Sequence, residues 1–338
     1  MVEIYDKIRA FSEVAHLSKH EQIVNGLLTS IEDRVVERGQ MLPSINQMSN
    51  ELGFARKTID RAYGELKDRG LVESRNRLGF FVRTEAVDQA VRVALVLYEF
   101  RPFQEMFYNV FRQSLGENVQ VDTFFHHNNL SVFEDIMAKV AGRYGVYVVA
   151  PVVHERSARV LRQLTSNRLL LIDRRVNLPG GGPFAVQEFG QSTYRVLEQL
   201  EGRIRRYERT VLFFREDADY PPAIREACGK FFRERRLELV VEPSYAAASV
   251  RRGQLYLTIG DTDLWTLLED VIERGWVLGR DVGVLSHNES RIKKIVHGGI
   301  STWSTDFGEM AELAARFVLE RNPERTVVPT KLIDRGSV

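Results

Sequence analysis

The sequence predicts two fold classes in one chain. Residues 1–85 read as an α+β module of three helices and a hairpin, and residues 92–338 as an α/β body of two lobes. Three observations carry this. Apolar residues recur at helical spacing through the first seventy positions, then fall into two short runs around a turn. From Val91 onward, short apolar runs alternate with amphipathic stretches. A short polar segment, TEAVDQAVR, separates the two textures, and the linker is expected at residues 86–91.

The elements follow in order. Ser18 and Glu21 form a capping-box pattern, and Ile23, Leu27, Leu28, Ile31 and Val35 then share one helical face that runs toward Gly39. Ser44 and Gln47 repeat the capping box and open a short helix through Leu52, which Gly53 ends. A third helix spans about Ala55 to Arg69, with Ile59, Ala62, Tyr63 and Leu66 facing inward. Leu71–Arg75 and Phe80–Arg83 are two strands around a turn at Asn76–Gly79. Three helices and a hairpin in this order make a winged helix-turn-helix.

Beyond the linker, strands are expected at Val91–Leu97, Gln120–Phe125, Val146–Val149, Leu169–Ile172, Thr210–Phe214, Glu238–Val241, Leu255–Ile259 and Val282–Leu285. Amphipathic helices separate them, which implies parallel sheets covered on both faces. Eight strands over this length fit two lobes: a first at about 92–190 and 302–325, and a second at about 191–301.

Lys+Arg and Asp+Glu number 47 and 46, so bulk charge does not advertise a nucleic-acid partner and any basic surface must be local. Such a concentration exists. Between Leu52 and Arg83 lie Arg56, Lys57, Arg61, Lys67, Arg69, Arg75, Arg77 and Arg83, against Asp60, Glu65, Asp68 and Glu73. In a helix-turn-helix the second helix enters the major groove, with its N-terminal residues at the base edges. Arg56 is the candidate for direct readout, since a guanidinium can pair bidentately with guanine. Lys57, Thr58, Ser44, Arg75 and Arg77 are candidates for phosphate contacts that position the duplex, and Arg61 lies one turn beyond the base-edge residues.

The segment MLPSINQMSNELGFARKTIDRAYGELKDRGLVESRNRLGFFV resembles the GntR-family DNA-binding domain over about residues 19–83, in both order and spacing. The resemblance implies contacts from the Leu-Pro-Ser start, from the Arg-x-Thr recognition start and from the wing. Asn46 stands where many members carry arginine, and Arg77 where the wing has its first glycine, so Gly79 alone offers a close backbone approach. From Val91 onward the chain resembles the LacI-type effector domain, a relative of periplasmic sugar-binding proteins. The segments VRVALVLYEF, GDTDLWTLLEDVIERGWVLGRDVGVLSHNES, ISTWSTDFGEMAELAARFVLE and PTKLIDRGSV carry that likeness. It implies a type I periplasmic-binding-protein-like fold, a sugar or sugar-derivative effector held between two lobes, and a homodimer on a double-stranded DNA operator. Asn288 falls at the family's ligand-contacting acidic or amide position, and Arg225 matches the arginine offered from the second lobe.

Open parallel sheets bind ligands beyond the carboxyl ends of their strands. There stand Tyr98, Phe100 and Phe103 for stacking a sugar, and Asp173, Asp261 and Asn288 for its hydroxyls. Glu188 and Asp263 are further carboxylates of that face. The adjacent pair His126-His127 is expected on a surface loop. No HExxH, GxSxG or Walker lysine pattern occurs, so no catalytic residue, metal or cofactor is assigned. A sugar-binding receptor and a sugar-modifying enzyme are the rival readings. The single Cys228, the lack of a secretory leader pattern and the lack of a membrane-length apolar run fit a cytoplasmic protein without a membrane partner.

Overall fold

A computed structural model describes residues 2–13, 18–68, 70–76, 78–83, 91–141, 143–162, 164 and 168–338. Arg69, Arg77 and all but Val91 of the expected linker lie outside the described residues.

The head contains α1 (Val2–Ala10), α2 (Lys19–Glu32), α3 (Ile45–Leu52), α4 (Arg56–Asp68) and the strands β1 (Val72–Arg75) and β2 (Gly79–Val82). Both expected capping boxes form. Ser18 accepts from the Glu21 N–H and Ser44 from the Gln47 N–H, and each acidic or amide partner returns the bond. α2 ends at Glu32 rather than near Gly39. Arg34 turns left-handed at φ 56°, and the N–H groups of Val35 and Val36 both donate back to Ser30. The antiparallel register Val72↔Val82 to Arg75↔Gly79 closes the wing. One core joins Ile4, Tyr5 and Ile8 to Ile23, Leu27, Ile59, Tyr63 and Val82. The first helix, which sequence reading did not single out, is thus part of that core. It crosses α2 at Gly26, where a Cβ would stand 2.4 Å from Ile8 Cγ1 and 2.6 Å from Ile8 Cα.

The body continues with β3 (Val91–Leu97), α5 (Pro102–Leu115), β4 (Val119–Phe125), α6 (Leu130–Val140), β5 (Val146–Val149), α7 (Glu155–Leu161), β6 (Leu169–Asp173) and β7 (Phe184–Gln187). Then come α8 (Gly190–Ile204), β8 (Arg209–Phe213), α9 (Pro222–Glu234), β9 (Leu239–Glu242), β10 (Gln254–Thr258), α10 (Asp261–Glu273) and β11 (Gly283–His287). The chain finishes with α11 (Arg291–Ile295), β12 (Ser301–Thr305), α12 (Phe307–Glu320), β13 (Arg325–Val328) and β14 (Thr330–Ile333). Two six-stranded sheets result, ordered β13-β7-β6-β5-β3-β4 and β14-β12-β11-β10-β8-β9. Their central pairs, β3 with β5 and β10 with β11, are parallel, and all eight expected strands are present within two residues of their expected ends.

By contacts the chain divides into residues 1–99, 112–184 and 314–324 as one unit, and residues 100–111, 185–313 and 325–338 as the other. Residues 302–325, expected whole in the first lobe, are therefore split. β12 pairs in parallel with β11, Leu285↔Ser301 through His287↔Trp303, and so extends the second sheet. β14 then adds antiparallel to β12.

The C-terminal segment is tied into the second sheet. Ser337 donates to Val284 O at 2.6 Å and accepts from the Ser301 N–H at 2.7 Å. Arg203 forks onto both oxygens of Asp334 at 2.9 and 2.6 Å. This side-chain hydrogen bonding from Arg203 holds the Asp334 carboxyl at about 2, below its ordinary 3.8. A depressed carboxyl stabilises the fold above its unfolded value and loses that contribution as pH falls through the folded one. An Asp334→Asn variant should therefore unfold at lower urea than wild type at pH 6, with the gap closing between pH 4 and pH 2. A gap that persists unchanged at pH 2 rules out this linkage.

Candidate nucleic-acid interface and effector face

Within the head, the turn between α3 and α4 fixes where α4 begins. Gly53 takes the left-handed conformation at φ 66°, a backbone state glycine adopts without a Cβ penalty, and Ala55 O accepts from the Thr58 and Ile59 N–H groups. This leaves Arg56 and Lys57 exposed at the first turn of α4, with Arg61 exposed one turn on and Thr58 half-buried. None of the three cations forms an ion pair with another described residue. One concave surface is lined by Ser44, Ile45, Asn46, Arg56, Lys57, Asp60, Gly79 and Phe80. It brings together five of the sequence-derived positions, from the start of α3, the start of α4 and the wing. Asp60, the one acid on that surface, was not singled out.

Two of the sequence-derived positions already have partners within the head. Ser44 Oγ already accepts the capping bond from Gln47, so only its O–H is free to donate. Arg75 stacks over Phe81 at 4.4 Å and donates to Glu73 at 2.8 Å, which commits it to the wing itself. Arg77 lies outside the described residues. A further residue holds the face together. Tyr63, fully buried on α4, donates to Pro43 O at 2.5 Å and stacks on Phe80 with ring centroids 4.4 Å apart. Burial pushes its phenol well above the usual range, so it stays protonated and keeps donating. Recognition helix, α3 entry and wing are thus pinned by one side chain. The inward helical spacing marked Tyr63 as core; nothing in the pattern pointed to its hydroxyl.

In the first unit, Tyr98 follows β3 and meets His126 edge-on at 6.0 Å, and Asp173 ends β6 with φ 64°. His126 is not on a surface loop. It is 1% exposed, its Nε2 lies 2.9 Å from Ala150 O, and its Nδ1 accepts from the Asn128 N–H. The proton is therefore on Nε2, and burial lowers the pKa, so the ring is a neutral support for the loop. His127 alone is exposed.

In the second unit, Asp261 opens α10 immediately after β10 and Asn288 follows β11. Asn288 sits at φ 60°, donates its N–H to Trp303 O at 3.0 Å and keeps Oδ1 enclosed without a partner. Tyr220 stands against the start of α10, so close that a Cβ at Gly260 would lie 2.2 Å from its hydroxyl. Phe100 is exposed, whereas Phe103 is half-buried and packs on Phe307 at 4.7 Å. Arg225 pairs with Glu216 and lies 5.5 Å over the Phe214 ring, because α9 carries it past both. Two further carboxylates of that face already accept from backbone. Glu188 accepts from the N–H groups of Gly190, Gln191 and Ser192 at the start of α8, and Asp263 from that of Tyr245. Burial raises the Glu188 carboxyl, but those N–H bonds more than offset it and hold its pKa below the ordinary value.

Residues 19–82 match the family described as "Bacterial regulatory proteins, gntR family". The HTH-type transcriptional regulator Rv1152 of Mycobacterium tuberculosis is 30% identical over 79 residues, 23% of this chain; the match spans 65% of that relative's length. In fold, the chain is similar to a LacI family transcriptional regulator from Lactobacillus casei with bound glucose: TM-score 0.62, 15% identity, 73% of this chain and 99% of that one. It is similar also to the trehalose repressor from Escherichia coli (TM-score 0.62, 13% identity, 72% and 100% covered). A LacI family regulator from Enterococcus faecium with bound ribose follows at TM-score 0.58 and 12% identity, with 73% and 98% covered. No helix among the described residues is long and apolar enough to cross a membrane.

Proposed function

From a chain with a GntR-family helix-turn-helix domain at its N-terminus and an α/β body of LacI-regulator fold behind it, we propose a sequence-specific transcriptional regulator. It represses as a homodimer on a palindromic operator, and a sugar or sugar derivative sets its operator affinity. The observation that carries this is the concave face where unpaired Arg56 and Lys57 meet Asn46 and the wing glycine Gly79. Free cations, a helix N-terminus and a close backbone approach are what a duplex groove and its phosphates require. The sugar assignment is supported by the fold likeness to regulators with bound glucose and ribose, and by the acceptors Asp261 and Asn288 beyond strand ends. Binding rather than catalysis is supported by Glu188, both of whose oxygens accept backbone N–H groups, and by Asp263, whose Oδ1 does.

The test is operator selection from genomic fragments, followed by titration of the selected site at fixed salt. We expect specific affinity well above that for random duplex, shifted about 5- to 150-fold by one member of a sugar panel. Equal affinity for selected and random duplex would sink the proposal.

A further inference from the structure

The second unit holds a charge that none of the foregoing uses. Lys293, on α11, is 1% exposed, among the largest fully buried side chains of the protein. An ammonium has three protons to donate, and burying any of them unpaired is costly. Here three acceptors meet them: Asp261 Oδ1 at 2.7 Å, His287 O at 2.7 Å and Asn288 O at 2.9 Å. Burial pushes the Lys293 pKa down, and Asp261 opposes that shift.

The three acceptors belong to two loops. Asp261 follows β10; His287 and Asn288 close β11, the parallel neighbour of β10. One side chain therefore ties together the loops that carry both proposed hydroxyl acceptors of this unit. Asn288 gains most. Its left-handed backbone is fixed on one side by its N–H bond to Trp303 O and on the other by its carbonyl bond to Lys293, so the direction of its carboxamide is set. Glu289 next to it is clamped by Arg335 through both oxygens at 2.9 Å. The loop enters any encounter with ligand already ordered, and among the described residues the enclosed Oδ1 of Asn288 has no donor, an unmet acceptor that a hydroxyl inserted there would satisfy.

We propose that Lys293 is a positioning residue of effector recognition: it touches no ligand, but aims Asp261 and Asn288 so that together they accept from hydroxyls of a neutral polyol. This rests on the function proposed above. With its charge balanced by Asp261, Lys293 adds no anion-attracting field to the face.

The experiment uses the full-length chain and calorimetric titration with D-glucose, D-ribose, D-xylose, L-arabinose and trehalose. Lys293→Met should weaken the best of these by about tenfold or more, as expected when aligned acceptors lose their support. Lys293→Gln, which can restore part of the donor set, should recover part of the loss. Operator affinity without sugar should match wild type in both variants, and unchanged exchange in β8 is the check that the second unit folds. Hydrogen exchange should rise in residues 286–290 and not in β8. Equal sugar affinity in wild type and Lys293→Met overturns the inference, as does a loss accompanied by faster exchange in β8 in both variants, which marks a purely structural lysine. Should wild type bind none of these sugars while still selecting an operator, the sugar assignment itself falls, and this inference with it.

Discussion

Replacing Arg56 with alanine is expected to weaken binding to the selected operator by about 5- to 150-fold, the equivalent of one lost bidentate base contact at roughly 1–3 kcal/mol. Affinity for random duplex should fall far less. The residue is exposed, forms no ion pair with another described residue and does not cap its helix, so thermal stability should stay within experimental error of wild type. Arg56→Lys should not rescue, because an ammonium cannot reproduce the planar fork. Lys57→Ala supplies the contrast: a uniform loss across sequences, with the salt slope reduced by about one. If Arg56→Ala lowers specific and random affinity by the same factor, Arg56 contacts phosphate and direct readout lies elsewhere.

A substitution at Gly26 should act just as strongly, on stability. Alanine in a helix interior is ordinarily favoured over glycine by about 1 kcal/mol. Gly26→Ala is nevertheless expected to destabilise the head by roughly 1–3 kcal/mol, because its Cβ would overlap the side chain and backbone of Ile8. α1 must then lift from α2 and withdraw Ile4 and Ile8 from the core. Hydrogen exchange of the intact chain reads this as faster exchange in α1 and α2, with the two large sheets unchanged. A stabilised head would mean that α1 does not pack where the structure puts it.

The fold was legible to the extent that local chemistry decides it. Both capping boxes, the glycine stop after α3 and the strand-and-helix rhythm of the body rest on residues a few positions apart, and each formed where its pattern stood. The end of α2 was not legible, since Arg34 breaks the helix through a left-handed turn that no glycine announces. The same distinction governs the site. Arg56 and Lys57 were readable from their place at a helix start. Commitments made between different elements were not: the pairing of Arg225 with Glu216 beside Phe214, the burial of His126 under Ala150, and Lys293 reaching back to Asp261. Glu188 is a different case, because its partners are the next few backbone amides. An acid two positions before Gly190 is legible as a partner of those amides only once the start of α8 is fixed.

The way the second sheet is completed has a consequence for synthesis. The core residues of the head lie within residues 4–82, whereas β14 and Ser337 join the second sheet only from residues 330–338. Translation adds about 5–20 residues per second, so the head emerges roughly 10–50 s before the second sheet can close. On the proposed function, the part that would read DNA is complete before the part that would control it.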